Sequence, residues 1–454
     1  MRNGLLGQIA TPPAGTLLHE ALLRMGEADW NGAHLLLSEA LEQPTMQRDA
    51  RLLLSEVCQA LGEHEAALQH LSEALAQNPL TSRGLPGAAG VPARRRVLML
   101  AVPGDFQANL PLAMLLDDPQ TELHTLWITD PALILSDPWR ARALVPRGLD
   151  VVFTVIAQDE RHTDALRAAD MLIATLGLPS LNNPRLISGL SRIEAAWMLS
   201  GCADLVVPQP RLLSRKMLAC ETIGRDGTAV LIRPEHSHAG LGLARIVDAP
   251  GRDSYLAAHA DETGFILTPF VDTRSPDGLF RKYRVVFVDG RWLPVHMAIH
   301  SDWAVWYYNA NMQAHPGRRR EEEAFLADPR AVLGEATQRG LDHIGQRIRL
   351  DYFGVDFGVA PDGRAVLFEV ETGMVVHHAD DPAMFGYRLE AARRIRCEVE
   401  LMIDRRIERR GAAERRSSVR AIQNPNVYTV TRRRPPPRLS ASGDPLAGAY
   451  LPEG

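Results

Sequence analysis

From Val355 to Glu371 the chain reads VDFGVAPDGRAVLFEVE. Two apolar runs meet at a Pro-Asp-Gly turn, the pattern of a β-hairpin, and three acids interrupt them. Asp356 lies on the first strand, Glu369 and Glu371 on the second. Side chains two residues apart leave the same face of a strand, so both glutamates point one way, and Asp356 reaches that face from its neighbour. Three carboxylates on one side of a buried sheet repel each other unless a hard cation joins them. Magnesium takes oxygen ligands of this kind and leaves room for substrate phosphates. A solvated strand face carrying acids is the other reading of the same spacing.

The 454 residues are enough for about three domains, and 46% hydrophobic with 23% charged residues is an ordinary globular balance. No apolar run approaches the ~18 residues of a membrane span, and MRNGLLGQIATPPAG has no signal-like stretch. Cys58, Cys202, Cys220 and Cys397 form no CxxC pair. That argues against a thiolate zinc site and a disulfide framework, and implies a reducing cytoplasm. Only Lys216 and Lys282 of the 50 basic residues are lysine, either by chance or where a compact ammonium is needed. From Arg405 onward eleven arginines face four acids, a balance of +7 that leaves −12 on the body. An acidic body offers no nucleic-acid footprint.

Trp30, Ala33, Leu37, Ala40 and Leu41 recur 34 positions later as His64, Ala67, Leu71, Ala74 and Leu75. Small residues at a helix crossing, leucines at helical spacing and Pro79 as a stop suggest packed helix pairs. The period and pattern resemble the tetratricopeptide repeat; an unrelated pair of helical hairpins is the alternative. Two repeats are few, so they are expected to dock on the next domain.

Residues 1–80 are thus read as helical repeats and 81–95 as a Gly/Pro-rich linker. Within 96–190, RVLMLAVPG, ELHTLWIT and VVFTVIA read as strands, ANLPLAMLL and HTDALRAADMLIATL as helices. Such alternation predicts a small parallel α/β domain. Its first turn, Pro103 to Pro111, ends a strand at the carboxyl edge, where such sheets place ligands, or is a structural turn. From 191 to 404 the pattern changes to antiparallel hairpins (TAVLIRP, GLGLARIVD, GFILTPFVD, RKYRVVFVDG, RWLPVHMAIH) with a helix over AVLGEATQRGLDHIGQRI and a closing helix from Phe385 to Ile403. Residues 405–454 read as a disordered Arg/Pro-rich tail.

Neither lysine lies in a P-loop, GLGLAR lacks the third glycine of a dinucleotide fingerprint, and zincin and GxSxG motifs are absent. What remains is spread out. Arg233 precedes the loop EHSHAGLGL, whose Ser237, Gly240 and Gly242 could bring backbone N–H groups to phosphate oxygens, or form a plain hairpin tip. In RKYR, Lys282 and Arg284 share one strand face while Arg281 and Tyr283 take the other. A cationic pair inside an apolar hairpin needs an anionic partner, either phosphate or the carboxylate strand.

In this order the segments LNNPRLISGLSR, LIRPEHSHAGLGL, ILTPFVD, RKYRVVFVDG and DFG…FEVE, spanning roughly Asn182 to Ile403, resemble the ATP-grasp superfamily, especially ligases related to glutathione synthetase and RimK. The resemblance implies two antiparallel α+β subdomains around ATP, preceded by the small α/β domain. It implies adenine at the hinge Thr268 to Val271, including Phe270, a ribose contact at Asp272, and Asn311 near the phosphates. By the same resemblance Arg233 stands where a phosphate-binding lysine is usual, and Arg284, with Lys282 beside it, lies near the transferred phosphoryl. Asp356 and Glu369 match magnesium ligands. Glu371 takes the third metal position, usually asparagine. These two departures bear on turnover.

The implied chemistry is ATP- and Mg2+-dependent ligation of a small carboxylate or peptide to an amine. The carboxylate attacks the γ-phosphoryl group and the amine then displaces phosphate, with ADP released. The helical repeats recruit a protein partner or substrate; neither nucleic acid nor membrane is expected. The alternatives are a nucleotide-binding scaffold without turnover, and phosphoryl transfer to another acceptor. Trp303, Trp306, Tyr307, Tyr308, Asn309 and Asn311 line an acceptor pocket or form a packed lid. His377 and His378 touch an acyl substrate or are solvated loop residues. Glu321 to Ala324 read as an exposed helix start.

Overall fold

A computed structural model of the chain describes residues 12–13, 15–84, 92–105, 107–116, 118–224, 227–237, 240–306, 309–376 and 381–423. Tyr307, Tyr308, His377, His378, linker residues 85–91 and tail residues 424–454 lie outside these. The chain divides into units 1–408 and 409–454, and the features below belong to the first, except for the end of the closing helix.

Four helices open the chain: α1 (Leu17–Gly26), α2 (Trp30–Ala40), α3 (Gln47–Leu61) and α4 (His64–Gln77). α2 and α4 begin 34 residues apart, and Ala33, Leu37 and Ala40 are buried as are Ala67, Leu71 and Ala74. Gly62, at φ 82°, ends α3 in the left-handed conformation that a residue without Cβ adopts at least cost. Their apolar faces merge into one buried cluster with Val97, Leu123 and Trp127 of the next sheet and Ile395, Val399 and Met402 of the last helix. The helices therefore share one core with that sheet and the last helix.

That sheet contains β1 (Leu80–Gly84), β2 (Arg95–Ala101), β3 (Thr121–Trp127), β4 (Val151–Thr154) and β5 (Ser180–Leu181), in the order β1-β3-β2-β4-β5. All neighbours are parallel except β1, which runs antiparallel on the β3 edge. Residues 81–84 are thus strand where a linker was expected. The open backbone groups of β3 attract them, and Trp127 Nε1 donates to the Thr81 hydroxyl at 3.3 Å. The expected helix ANLPLAMLL is only a 3₁₀ turn, Leu112–Leu115. Asn109 is held extended because its side chain bonds both N–H and C=O of Val102 at 2.9 and 2.8 Å.

The remaining strands make two sheets. β6 (Leu205–Val206), β7 (Arg211–Ser214), β8 (Val230–Pro234), β9 (Ala244–Ile246) and β10 (Gly264–Pro269) come first in the chain. They are followed by β11 (Phe280–Val288), β12 (Arg291–His300), β13 (Tyr352–Val359) and β14 (Ala365–Glu371). The smaller sheet, β7-β10-β8-β9, is antiparallel. The larger, β12-β11-β13-β14-β6, is antiparallel except where β6 joins β14. Alternation along β11 sends Tyr283, Val285 and Phe287 into the same cluster as Phe325 and Leu341 of the covering helices, with Phe287 stacked on Phe353 at 4.4 Å. Lys282 and Arg284 take the opposite face, as expected.

Two further expectations change. Glu322 is wholly buried in the helix Pro316–Ala327, because Arg388 donates to both its oxygens at 2.9 and 2.6 Å and Tyr387 donates at 2.8 Å. Glu321 pairs with Arg281 at 2.8 Å. The closing helix runs Pro382–Gln423 with a break at Phe385, so the expected tail begins as helix. Arg405 and Arg406 there reach Asp289 and Asp351. No helix among the described residues is long and apolar enough to cross a membrane.

Candidate functional site

The acidic hairpin is in regular register from Val359–Ala365 to Phe357–Leu367; Phe368 is then passed over and Asp356 faces Glu369. Arg284 faces Asp356 across the next pair of strands, and His296 faces Arg284 beyond that. His296, Arg284, Asp356 and Glu369 thus form one row across four strands. All four line a cavity of about 530 Å³. Leu231, Arg233, Ile266 and Thr268 of the smaller sheet line it too, so it lies between the two sheets.

Opposite charges meet in this row. Arg284 donates to both Asp356 oxygens at 2.7 and 2.8 Å, and Lys282 Nζ lies 2.6 Å from Oδ2. Asp356 is wholly buried. Burial alone would raise its carboxyl, yet Arg284 and then Lys282 hold it far below the usual carboxylate range. Glu369 pairs with Arg192 at 2.9 Å; against the upward push of burial, Arg192 and Arg233 keep it below its ordinary value. Burial, with Arg192 nearby, pulls the Arg233 guanidinium down to about 10. Glu371 Oε1 accepts from Gly373 N at 2.9 Å.

The cavity gathers Arg233, Gly240, Thr268, Phe270, Val271, Lys282, Arg284, Asp356, Glu369 and Glu371 of the expected set. Ser237, Gly242, Asp272 and Asn311 do not line it. Ser237 instead accepts from Arg233 Nε at 3.0 Å and so fixes that side chain. Gly242 O accepts from Tyr255 at 2.7 Å. Asp272 is exposed and accepts from Arg274 N at 2.9 Å. Asn311 is exposed in a left-handed turn, φ 45°. Phe270 N–H is already donated to Ala229 O at 3.0 Å, so what it offers the cavity is its ring, with Arg245 stacked at 4.4 Å.

Several lining residues were not singled out by the sequence reading of the site, among them Gln107, Arg192, His296 and Phe368. Gln107 sits in the turn after β2 that had been marked as a ligand edge. Arg192 opens the helix Arg192–Leu199, held there by the capping box of Ser191 and Glu194; its sequence signals are Ser-x-x-Glu and its place at the end of LNNPRLISGLSR. Phe368 is the extra residue of the bulge and stays 46% exposed, an apolar surface offered to the cavity. Trp303 and Trp306 also line it, and the Trp306 ring lies against Gly240, where any side chain would overlap it. Gly240 and Trp306 therefore meet at the cavity wall.

This arrangement places charges of both signs in one cavity beside apolar surface. Four cationic side chains and three carboxylates share one low-dielectric space, and apolar rings line the rest of it. No protein-family model matches the chain, and no curated protein does. Among solved structures it is similar to D-alanine–D-alanine ligase from Bacillus anthracis complexed with ATP. That match has 13% identity and a TM-score of 0.42 over 70% of this chain and 99% of that one. It is also similar to RimK domain protein ATP-grasp from Sphaerobacter thermophilus DSM 20745, with 15% identity and a TM-score of 0.40 over 67% and 99%.

Proposed function

We propose that the chain is an ATP- and Mg2+-dependent ligase of the ATP-grasp type, joining a carboxylate to an amine through an acyl phosphate. The observation that carries this reading is the Arg284–Asp356–Glu369 row, faced by Arg233 from the other sheet, inside one cavity. The donor type suits magnesium: Asp356, Glu369 and Glu371 offer hard carboxylate oxygens from adjacent strands, and Asp356 would exchange its bonds to Arg284 and Lys282 for the ion. Bound magnesium would polarise the phosphoryl oxygens, and ATP would supply the group that activates the carboxylate.

The protein's own part is electrostatic. Arg284 and Lys282 neutralise charge that develops on the transferring group, from positions preset by their bonds to Asp356. Arg233 and the backbone of its loop hold the phosphates. Phe270 and Phe368 offer apolar surface for a base. Closure of the Gly240 loop on Trp306 excludes water that would hydrolyse an acyl phosphate. Gln107, in the turn after β2, lines the cavity and would meet the substrate there, and the helical repeats recruit a protein or peptide in the cytoplasm.

Glu369→Ala is expected to abolish ADP formation while leaving the circular dichroism spectrum unchanged; full ADP formation by that variant removes the metal assignment. A second reading, a nucleotide-binding scaffold without turnover, is favoured by Glu371 in the third metal position and by the three bonds that already occupy Asp356. ADP release with pooled carboxylates and amines separates the two, since a scaffold gives none with any mixture.

A further inference from the structure

The helical repeats are offset by 34 residues, and one pair of matched positions breaks the correspondence. In the first copy Arg24, in the last turn of α1, pairs with Asp29 at 2.9 Å. Asp29 also caps α2 by accepting from Gly32 N at 2.9 Å. The counterparts in the second copy are Cys58, in the last turn of α3, and Glu63, at the start of α4. Glu63 makes no side-chain capping bond. Where the first copy sets a guanidinium against its carboxylate, the second sets a buried thiol.

His34 of α2 completes the group. One ring nitrogen of His34, Cys58 Sγ and a Glu63 carboxylate oxygen all lie within 4.8 Å of one another. Ligand atoms around a tetrahedral zinc ion stand about 3.5 Å apart, so small side-chain shifts would close them on one centre. Burial grades from the enclosed thiol through the half-buried imidazole to the exposed carboxylate, which leaves an approach from solvent. The Nδ1 atom of His70, on α4, is buried with no hydrogen-bond partner among the described residues.

We propose that His34, Cys58 and Glu63 bind one zinc ion, which ties α2 to the α3–α4 corner across the boundary between the two repeats. A thiol and an imidazole together select a borderline metal and discriminate against magnesium and calcium, which prefer all-oxygen sites. The site is thus chemically distinct from the carboxylate cluster in the cavity. Its ligands come from three separate helical segments, so no CxxC or HxxxH spacing announces it.

Cobalt(II) titration of the full chain in its reduced form tests this. The expected result is one equivalent bound with a thiolate-to-cobalt charge-transfer band, displaced stoichiometrically by zinc and not by a large excess of magnesium. Cys58→Ser should abolish the band. His34→Gln and Glu63→Gln should each weaken zinc binding at least tenfold in a chelator competition. A band that persists in Cys58→Ser, or zinc affinity unchanged in both other variants, overturns the proposal. If Cys58→Ser fails to fold, the solvent-accessible His34→Gln and Glu63→Gln variants decide it alone.

Discussion

Replacing Asp356 by asparagine keeps the shape of the side chain and removes one negative charge from between Arg284 and Lys282. The carboxylate accepts three charge-assisted bonds of 2.7, 2.8 and 2.6 Å. Each is worth ~1.5–3 kcal/mol by itself, but the variant also escapes the penalty of burying the carboxylate. Loss of one partner from a buried pair costs about 3–5 kcal/mol. Both cations are one-fifth exposed and can draw water from the cavity, which sets the expected loss near the lower end, about 3 kcal/mol. With a slope of about 3 kcal/mol per molar urea, the midpoint should fall by about 1 M. Changing all three residues together, Asp356→Leu with Lys282→Met and Arg284→Met, should recover most of that loss, since apolar replacement of a buried ion cluster is often neutral or better. It should leave ATP turnover at zero. An unchanged urea midpoint for Asp356→Asn would refute the reasoning.

The same carboxylate sets an acid limit. Its folded-state value lies below the unfolded one of about 3.9, so its contribution is complete above about pH 4 and is lost as pH falls further. Urea midpoints at pH 5 and pH 3 should differ by less in Asp356→Asn than in the wild type, and equal differences would exclude Asp356 as a main source. Gly240→Val places a branched side chain at φ 75°, costing about 1–2 kcal/mol locally, and drives Trp306 away from the loop. ATP affinity measured by equilibrium titration should fall at least tenfold; unchanged affinity would show that the Gly240–Trp306 contact has no part in closure.

Strand periodicity alone was enough to put Lys282 and Arg284 on one face, because side-chain direction along a strand is a local property; that Asp356 rather than phosphate is the anion they meet came only with the strand pairing. The 34-residue offset likewise carried the start of α4 and its buried alanines. What stayed hidden depends on partners distant in sequence. Arg192 meets Glu369 across 177 residues, Glu322 is buried by an arginine 66 positions later, and no local pattern marks either. The bulge that exposes Phe368 depends on pairing register, which the hairpin turn fixes only near itself. Residues 81–84 look like spacer until the bare edge of β3 is in place to receive them.

The cluster shared by α1–α4, the parallel sheet and the last helix also bears on how this chain can be divided. The helices are not a detachable cassette that could be transplanted or trimmed at the glycines beyond β1. A fragment starting after residue 91 would open a broad greasy surface to solvent and leave the margin of Thr121–Trp127 bare, an invitation to strand-by-strand self-association.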